Sequence, residues 1–233
     1  MQTVAQNLQR IEAQIASAAQ RAGRAANEVL LLAVTKTVLP DLIEQALSLG
    51  IDTFGESKVQ EAREKIPLIS SRARWHMIGH LQTNKARDAV ELFELIHSVD
   101  SVKLAAAISQ WADRAGKTQR VLLEVNLSGE RSKFGLRPEA LDEALDQVRA
   151  LPRLDVEGLM TVPPFTQETE KVRPWFRQLR ELRDAAVRRH NLELPHLSMG
   201  MTGDFEIAIE EGATIIRLGT AIFGERQRHE PEE

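Results

Sequence analysis

Val29-Leu30-Leu31-Leu32-Ala33-Val34-Thr35-Lys36 is a continuous apolar run that stops abruptly in two polar residues. Beyond Thr37-Val38-Leu39 comes Pro40-Asp41-Leu42-Ile43-Glu44-Gln45-Ala46-Leu47, which opens on proline and closes at Gly50. The first run is short and β-rich; the second has proline where a helix tolerates it and glycine just past its end. Together they make a βα unit. Working outward, similar apolar runs recur at Ile51–Phe54, Trp75–Ile78, Leu95–Val99, Val121–Val125, Val156–Met160, His196–Met199 and Thr214–Leu218, each leading into helix-like sequence or a glycine-rich turn. With the first, the count is eight. Parallel strands covered on both faces read as near-continuous apolar runs, which is the character of most of these. Eight βα units in 233 residues fit an α/β protein built as a (β/α)8 TIM barrel. An open doubly wound sheet is the alternative, but it usually carries a glycine-rich turn after its first strand, and Thr35-Lys36-Thr37-Val38 holds no glycine.

Ahead of the first strand, Val4, Leu8, Ile11, Ile15, Ala18 and Ala22 recur in steps of four and three, which predicts an extra N-terminal amphipathic helix stopping at Gly23. That pattern differs from a signal-peptide core, and no apolar run approaches the roughly 20 residues that span a bilayer. Residues 1–224 therefore read as one barrel domain, and 225–233 as a charged, mobile tail. Lys+Arg number 30 and Asp+Glu 34, a net charge of −4, so no basic footprint for nucleic acid or membrane is expected. Cysteine is absent, which excludes disulfides and thiol nucleophiles and fits a reducing cytoplasm. The expectation is a cytoplasmic monomer whose partners are small molecules or proteins.

A barrel of this kind builds its active face from the C-terminal ends of the strands. Thr35-Lys36 follow the first run, Gly55-Glu56-Ser57 the second, Ser198-Met199-Gly200-Met201-Thr202-Gly203-Asp204 arise at the seventh, and Arg217 then Gly219-Thr220 at the eighth. Lys36 sits where desolvation lowers a lysine pKa and frees the amine for a Schiff base; a lysine snorkelling to solvent is the plain alternative. Gly200, Gly203 and Gly219, with Ser198, Thr202 and Thr220, offer N–H groups and hydroxyls at the two loops where barrels frequently bind phosphate. Either loop alone could be serving turn geometry; the two together favour phosphate. Arg217, inside Ile215-Ile216-Arg217-Leu218, must find a buried carboxylate or a ligand. A Schiff-base lysine on the first strand, phosphate at the last two and a cation between them suit an aromatic aldehyde phosphate. Pyridoxal 5′-phosphate (PLP) meets all three constraints.

Other candidates carry less. Gly116-Lys117-Thr118 lacks the earlier glycine of a phosphate loop, where Trp111 stands instead. His76 and His80 share a four-residue step without an obvious third ligand and read as structural. Asn126-Leu127-Ser128 is a glycosylation sequon without a secretory signal, and the helix over Ala140–Val148 presents a solvated face.

Ala33-Val34-Thr35-Lys36, Phe54-Gly55-Glu56, Val59-Gln60-Glu61, Trp75-His76-Met77-Ile78-Gly79, Leu81-Gln82-Thr83-Asn84-Lys85, Gly158-Leu159-Met160-Thr161, Leu197-Ser198-Met199-Gly200-Met201, Asp204-Phe205 and Arg217-Leu218-Gly219 occur in an order that resembles, end to end, the pyridoxal phosphate homeostasis protein family of alanine-racemase-like barrels. The resemblance implies that Lys36 is the Schiff-base lysine, that loops around Ser198 and Gly219-Thr220 hold the phosphate, and that Arg217 faces the pyridine nitrogen. Met199, Gly200, Thr202, Ser57 and Met160 complete the set expected at the cofactor. Many members have Asn and an aromatic residue where Ser57-Lys58 stand here. The resemblance further implies a non-catalytic role in vitamin B6 supply and amino-acid and keto-acid balance, with amino acids as further ligands and PLP-dependent apoenzymes as recipients.

The residue chemistry bears on carrier against enzyme. An arginine at the pyridine nitrogen leaves it unprotonated and the ring a weak electron sink. The two-base racemases of related fold take their second base from a tyrosine in an added β-domain, and this chain has no tyrosine. A weak single-base amino-acid racemase and a Schiff-base aldolase are the alternatives.

Overall fold

The computed structural model describes residues 3–130, 133–164, 166 and 168–224; the tail expected over 225–233 lies outside them. Helix α1 (Val4–Arg21) starts at a capping box in which the Thr3 hydroxyl accepts the Gln6 N–H at 3.3 Å and the Gln6 side chain accepts the Thr3 N–H at 3.0 Å. Its apolar stripe of Val4, Leu8, Ile11, Ile15 and Ala18 is buried, as its period predicts. The barrel follows as β1 (Leu30–Val34), α2 (Pro40–Ser48), β2 (Thr53–Glu56), α3 (Val59–Lys65), β3 (Arg74–Met77), α4 (Ala86–Leu92), β4 (Leu95–Val99), α5 (Val102–Arg114) and β5 (Gln119–Glu124). It continues through α6 (Leu141–Arg149), β6 (Leu154–Met160), α7 (Arg173–His190), β7 (His196–Ser198), α8 (Phe205–Glu210), β8 (Ile215–Leu218) and the one-turn α9 (Thr220–Phe223).

All eight strands are parallel and close in chain order, β8 pairing back on β1 with Leu32 beside Arg217 and Ala33 beside Leu218. Side chains alternate across each strand, so two apolar layers result. Leu32, Leu95, Leu122, Met160 and Ile215 form a small cluster inside the barrel, distinct from the larger shell between strands and helices. Helix α6 shares in that shell: it buries Leu141, Ala144, Leu145 and Val148, and its exposed residues form the solvated face. Gly158 marks a register shift between β5 and β6, and a Cβ there would lie 1.9 Å from the His196 carbonyl oxygen.

Strand boundaries differ from the apolar runs in an orderly way. β2 begins at Thr53, not Ile51, because the Ile51 N–H returns to the Ala46 carbonyl and finishes α2. β3, β5 and β6 start earlier than expected, at Arg74, Gln119 and Leu154. Polar residues there still pair in the sheet, and hydrophobic patterning does not register them.

The outer helix is tied to the last one: the Asn7 side chain donates to the Ile222 carbonyl at 2.8 Å and Arg10 to the Ala221 carbonyl at 3.4 Å. Among the described residues, no helix is long and apolar enough to cross a membrane.

Candidate functional site: a cavity at the C-terminal ends of the strands

The strands' C-terminal ends open on a cavity of about 550 Å³, within the range of small-molecule sites. Lys36, Ser57, Thr202, Arg217, Gly219 and Thr220 line it. Met160, Ser198, Met199 and Gly200 are buried and are not among its lining residues. Met160 belongs to the inner apolar layer and Met199 to the outer shell. Gly200 has φ of 94°, and a Cβ there would come within 2.6 Å of the Ala208 Cβ, so glycine lets the loop close over α8. Its carbonyl accepts the Arg217 N–H at 3.0 Å, fixing one loop to the other. Thr202 and Thr220 join the same two loops through their hydroxyls, 3.2 Å apart. Asp204 steadies the first by accepting the Met201 N–H at 2.6 Å.

Lys36 is half-buried and, among the described residues, makes no hydrogen bond or ion pair. Its backbone, by contrast, is held on both sides. Lys65, buried on α3, donates to the Thr35 carbonyl at 2.7 Å, to Glu56 at 2.6 Å and to Glu61 at 2.8 Å. The Thr35 hydroxyl donates to Glu56 at 2.7 Å and the Thr37 N–H to Glu61 at 2.5 Å. Thr37 adopts φ of 61°, a left-handed conformation that costs energy for a β-branched residue. Burial pushes the Glu56 carboxyl up despite Lys65. Glu61 is less buried, and Lys65 with the Thr37 N–H holds it below the usual carboxylate range against its burial.

Arg217 solves its burial differently. It donates to the Ser198 hydroxyl at 2.7 Å and to the Thr161 carbonyl at 2.9 Å, both neutral acceptors. No carboxylate lies within ion-pair distance of it among the described residues, so the structural pairing weighed from the sequence is not what the fold provides. Burial lowers its pKa to about 10, with more distant Asp204 and Glu124 opposing the shift, and it stays charged at neutral pH. Glu124 in turn is raised to about 7 by burial and by Asp100.

Ser198 is fully buried and its hydroxyl points into the barrel, between Arg217 and His97. His80 stacks on Phe134 at 3.5 Å between ring centroids and pairs with Asp100 at 3.2 Å, whereas His76 is buried beside His97. Sequence reading missed Lys65 and His97. Each had a signal: Lys65 shares a helical stripe with Val59 and Ala62, and His97 interrupts an apolar run at an inward position. The cavity wall from Val162-Pro163-Pro164 to Thr169 and Val172 carries no such period. Two other clefts, of about 580 Å³ around Leu30, Ile51 and Thr214 and about 670 Å³ around Asn126 and Pro138, hold no lysine at a strand end.

The family profile described as "Alanine racemase, N-terminal domain" matches residues 6–227. A protein of Aquifex aeolicus named "Pyridoxal phosphate homeostasis protein" is 47% identical over 95% of this chain and 98% of its own length. The chain belongs to the pyridoxal phosphate homeostasis protein family. A relative of the same name in Escherichia coli is 39% identical over 97% of this chain and 98% of its own length. Among solved structures, PipY of Synechococcus elongatus with PLP bound superposes with a TM-score of 0.82 at 36% identity, covering 92% of this chain and all of that one. An alanine racemase of Clostridium difficile, at 15% identity and a TM-score of 0.70, shares the fold; the barrel covers 57% of that longer chain.

Removing the Lys65 ammonium strands Glu56 inside the protein. Lys65→Met is expected to lower unfolding free energy by about 3–5 kcal/mol in urea titrations. Adding Glu56→Gln, which removes the orphaned charge, should return part of that loss. A Lys65→Met protein as stable as wild type contradicts the clamp.

Proposed function

We propose that this chain, through the barrel of residues 1–224, binds PLP covalently at Lys36 and acts in vitamin B6 and amino-acid and keto-acid homeostasis as a carrier without turnover. The observation that carries the reading is that Lys36, without a side-chain partner among the described residues, opens on the same cavity as Arg217 and the Gly219-Thr220 turn. The groups fit the cofactor end to end. Lys36 meets the aldehyde, Thr202, Gly219 and Thr220 with the first N–H groups of α9 meet the phosphate, and Arg217 between them meets the ring nitrogen. The PLP-bound structure of PipY supports the same choice. When bound, the cofactor supplies an aldehyde that condenses with amines and a ring that draws electrons from the attached carbon.

This chain's residues favour holding over turnover. Arg217, a cation with neutral hydrogen-bond partners, opposes protonation of the ring nitrogen and so weakens the electron sink. With no tyrosine in the chain, the base used by two-base racemases of this fold is missing. Amino acids exchange with Lys36 on the cofactor and depart unchanged.

Borohydride treatment of the PLP-loaded protein should fix the label on Lys36 in peptide maps; label on Lys58 or Lys85 overturns the assignment. Lys36→Ala should lose the visible band and keep the wild-type unfolding midpoint. Gly219→Asp places a negative charge at the phosphate end and should weaken PLP by at least about tenfold, whereas Gln227→Asp in the tail should not; equal affinity of Gly219→Asp and wild type refutes the cradle. In deuterated water, L- and D-alanine incubated with the loaded protein should keep their α-protons and optical purity. Rapid α-deuteration abolished by Lys36→Ala would instead make the chain a single-base enzyme.

A further inference from the structure

A single file of buried polar groups leads away from Arg217 into the barrel. The Arg217 Nη1 lies 2.7 Å from the Ser198 Oγ, that oxygen 2.8 Å from the His97 Nδ1, and the His97 Nε2 3.0 Å from the His76 Nδ1. Arg217 and His76 are 5% and 3% exposed, His97 and Ser198 not at all. The inner layer of Leu32, Leu95, Leu122, Met160 and Ile215 shares the barrel interior with it.

The identity of the first member, the absence of another acceptor for Ser198 among the described residues and the neutrality of the two rings together order the hydrogens in the file. A guanidinium has donors and no lone pair, so Arg217 can only donate and Ser198 must receive. The Ser198 Oγ has two lone pairs but one hydrogen, and among the described residues the only acceptor that hydrogen can reach is the His97 Nδ1, which therefore presents its lone pair. The single proton of a neutral His97 is therefore on Nε2. From there it is donated to the His76 Nδ1, which leaves the His76 proton on Nε2 as well. Neutrality of both rings is what the surroundings impose. Burial pushes His76 down to about 3, with Arg120 and Arg74 adding to it, and burial with Arg217 among the nearby cations holds His97 well below the usual range.

We infer that His97 and His76 are positioning residues for Arg217: His76 accepts the His97 Nε2 proton and so holds its tautomer, and His97, by taking the Ser198 hydrogen, turns a serine lone pair toward Nη1. That contact and the Thr161 carbonyl on Nη2 set the guanidinium plane. Two of the five N–H donors of Arg217 are thereby spent on Ser198 and Thr161, and the residue itself lines the cavity. Ser198 accordingly serves the ring end of the site through Arg217. The inference rests on the proposed function for the identity of that ligand, the PLP ring nitrogen.

The hydrogen order can be read without cofactor. In protein labelled with 15N-histidine, long-range proton–nitrogen correlation near neutral pH should show His76 and His97 protonated on Nε2 alone, each assigned by the signal lost in His76→Gln or His97→Asn. A proton on the His97 Nδ1, alone or as imidazolium, overturns the inference. The positioning role is read on PLP carrying 15N in its ring. His97→Leu, which removes the acceptor, should move the ring-nitrogen resonance toward that of Arg217→Met and weaken PLP by about tenfold. His97→Asn, which keeps an acceptor for Ser198, should stay near wild type, and Ser198→Ala should repeat the His97→Leu shift should that variant fail to fold. An unmoved ring resonance in folded His97→Leu and Ser198→Ala, with the cofactor still on Lys36, overturns the role. Failure of wild type to take up PLP overturns the proposed function, whereas a reversed His97 tautomer in a protein that binds PLP overturns this inference alone.

Discussion

Parallel pairing of the first strand with the last is the contact on which everything else rests. It sets Leu32 beside Arg217 and Ala33 beside Leu218, so the lysine just past β1 and the arginine within β8 face one cavity although nearly the whole chain separates them. Without that closure the sheet would have two edges, and Lys36 and Arg217 would lie on opposite ones. Closure is a non-local event, and loop-closure entropy is lost before it is rewarded. The shell between strands and helices, into which α1 also packs, supplies the compensating burial.

Two buried cations flank this seam and are neutralised in opposite ways. Lys65 meets two carboxylates and a carbonyl, so its charge is spent within the protein on keeping the backbone around Lys36 in a strained shape. Arg217 meets a hydroxyl and a carbonyl, which take up two of its donors without cancelling its charge. Its field therefore extends into the cavity, where the low-dielectric barrel strengthens it. One cation builds the frame, and the other stays electrically available to whatever the frame holds.

How far the sequence reveals this follows from what burial does to each residue type. The strands are legible because both faces of a parallel barrel strand are apolar, and their polar starts are not, since Arg74, Gln119 and Asp155 join the ladder through backbone pairing, which side-chain hydropathy does not register. Lys36, Arg217 and Gly219-Thr220 are legible because they directly end or interrupt apolar runs. Ser198 is harder: its place at the end of β7 is readable, but which way its hydroxyl faces depends on a one-residue register that sequence does not fix. His97 depends on the same register. Lys65 depends on tertiary contact, because only the approach of β2 and the Thr35 carbonyl gives a lysine on an apolar stripe three acceptors.

The bonds from Asn7 and Arg10 to the carbonyls of Ala221 and Ile222 have a mechanical meaning. Helix α9 is a single turn, too short to be stable by itself, and its opening residues form one end of the cavity. Helix α1 grips it from outside the barrel, so the firmness of the cavity-facing turn is set by side chains that do not line the cavity. The N-terminal helix is thus a tensioning strap: substitutions along one of its faces can stiffen or slacken the Gly219-Thr220 end of the cavity while the lysine and the arginine keep their places.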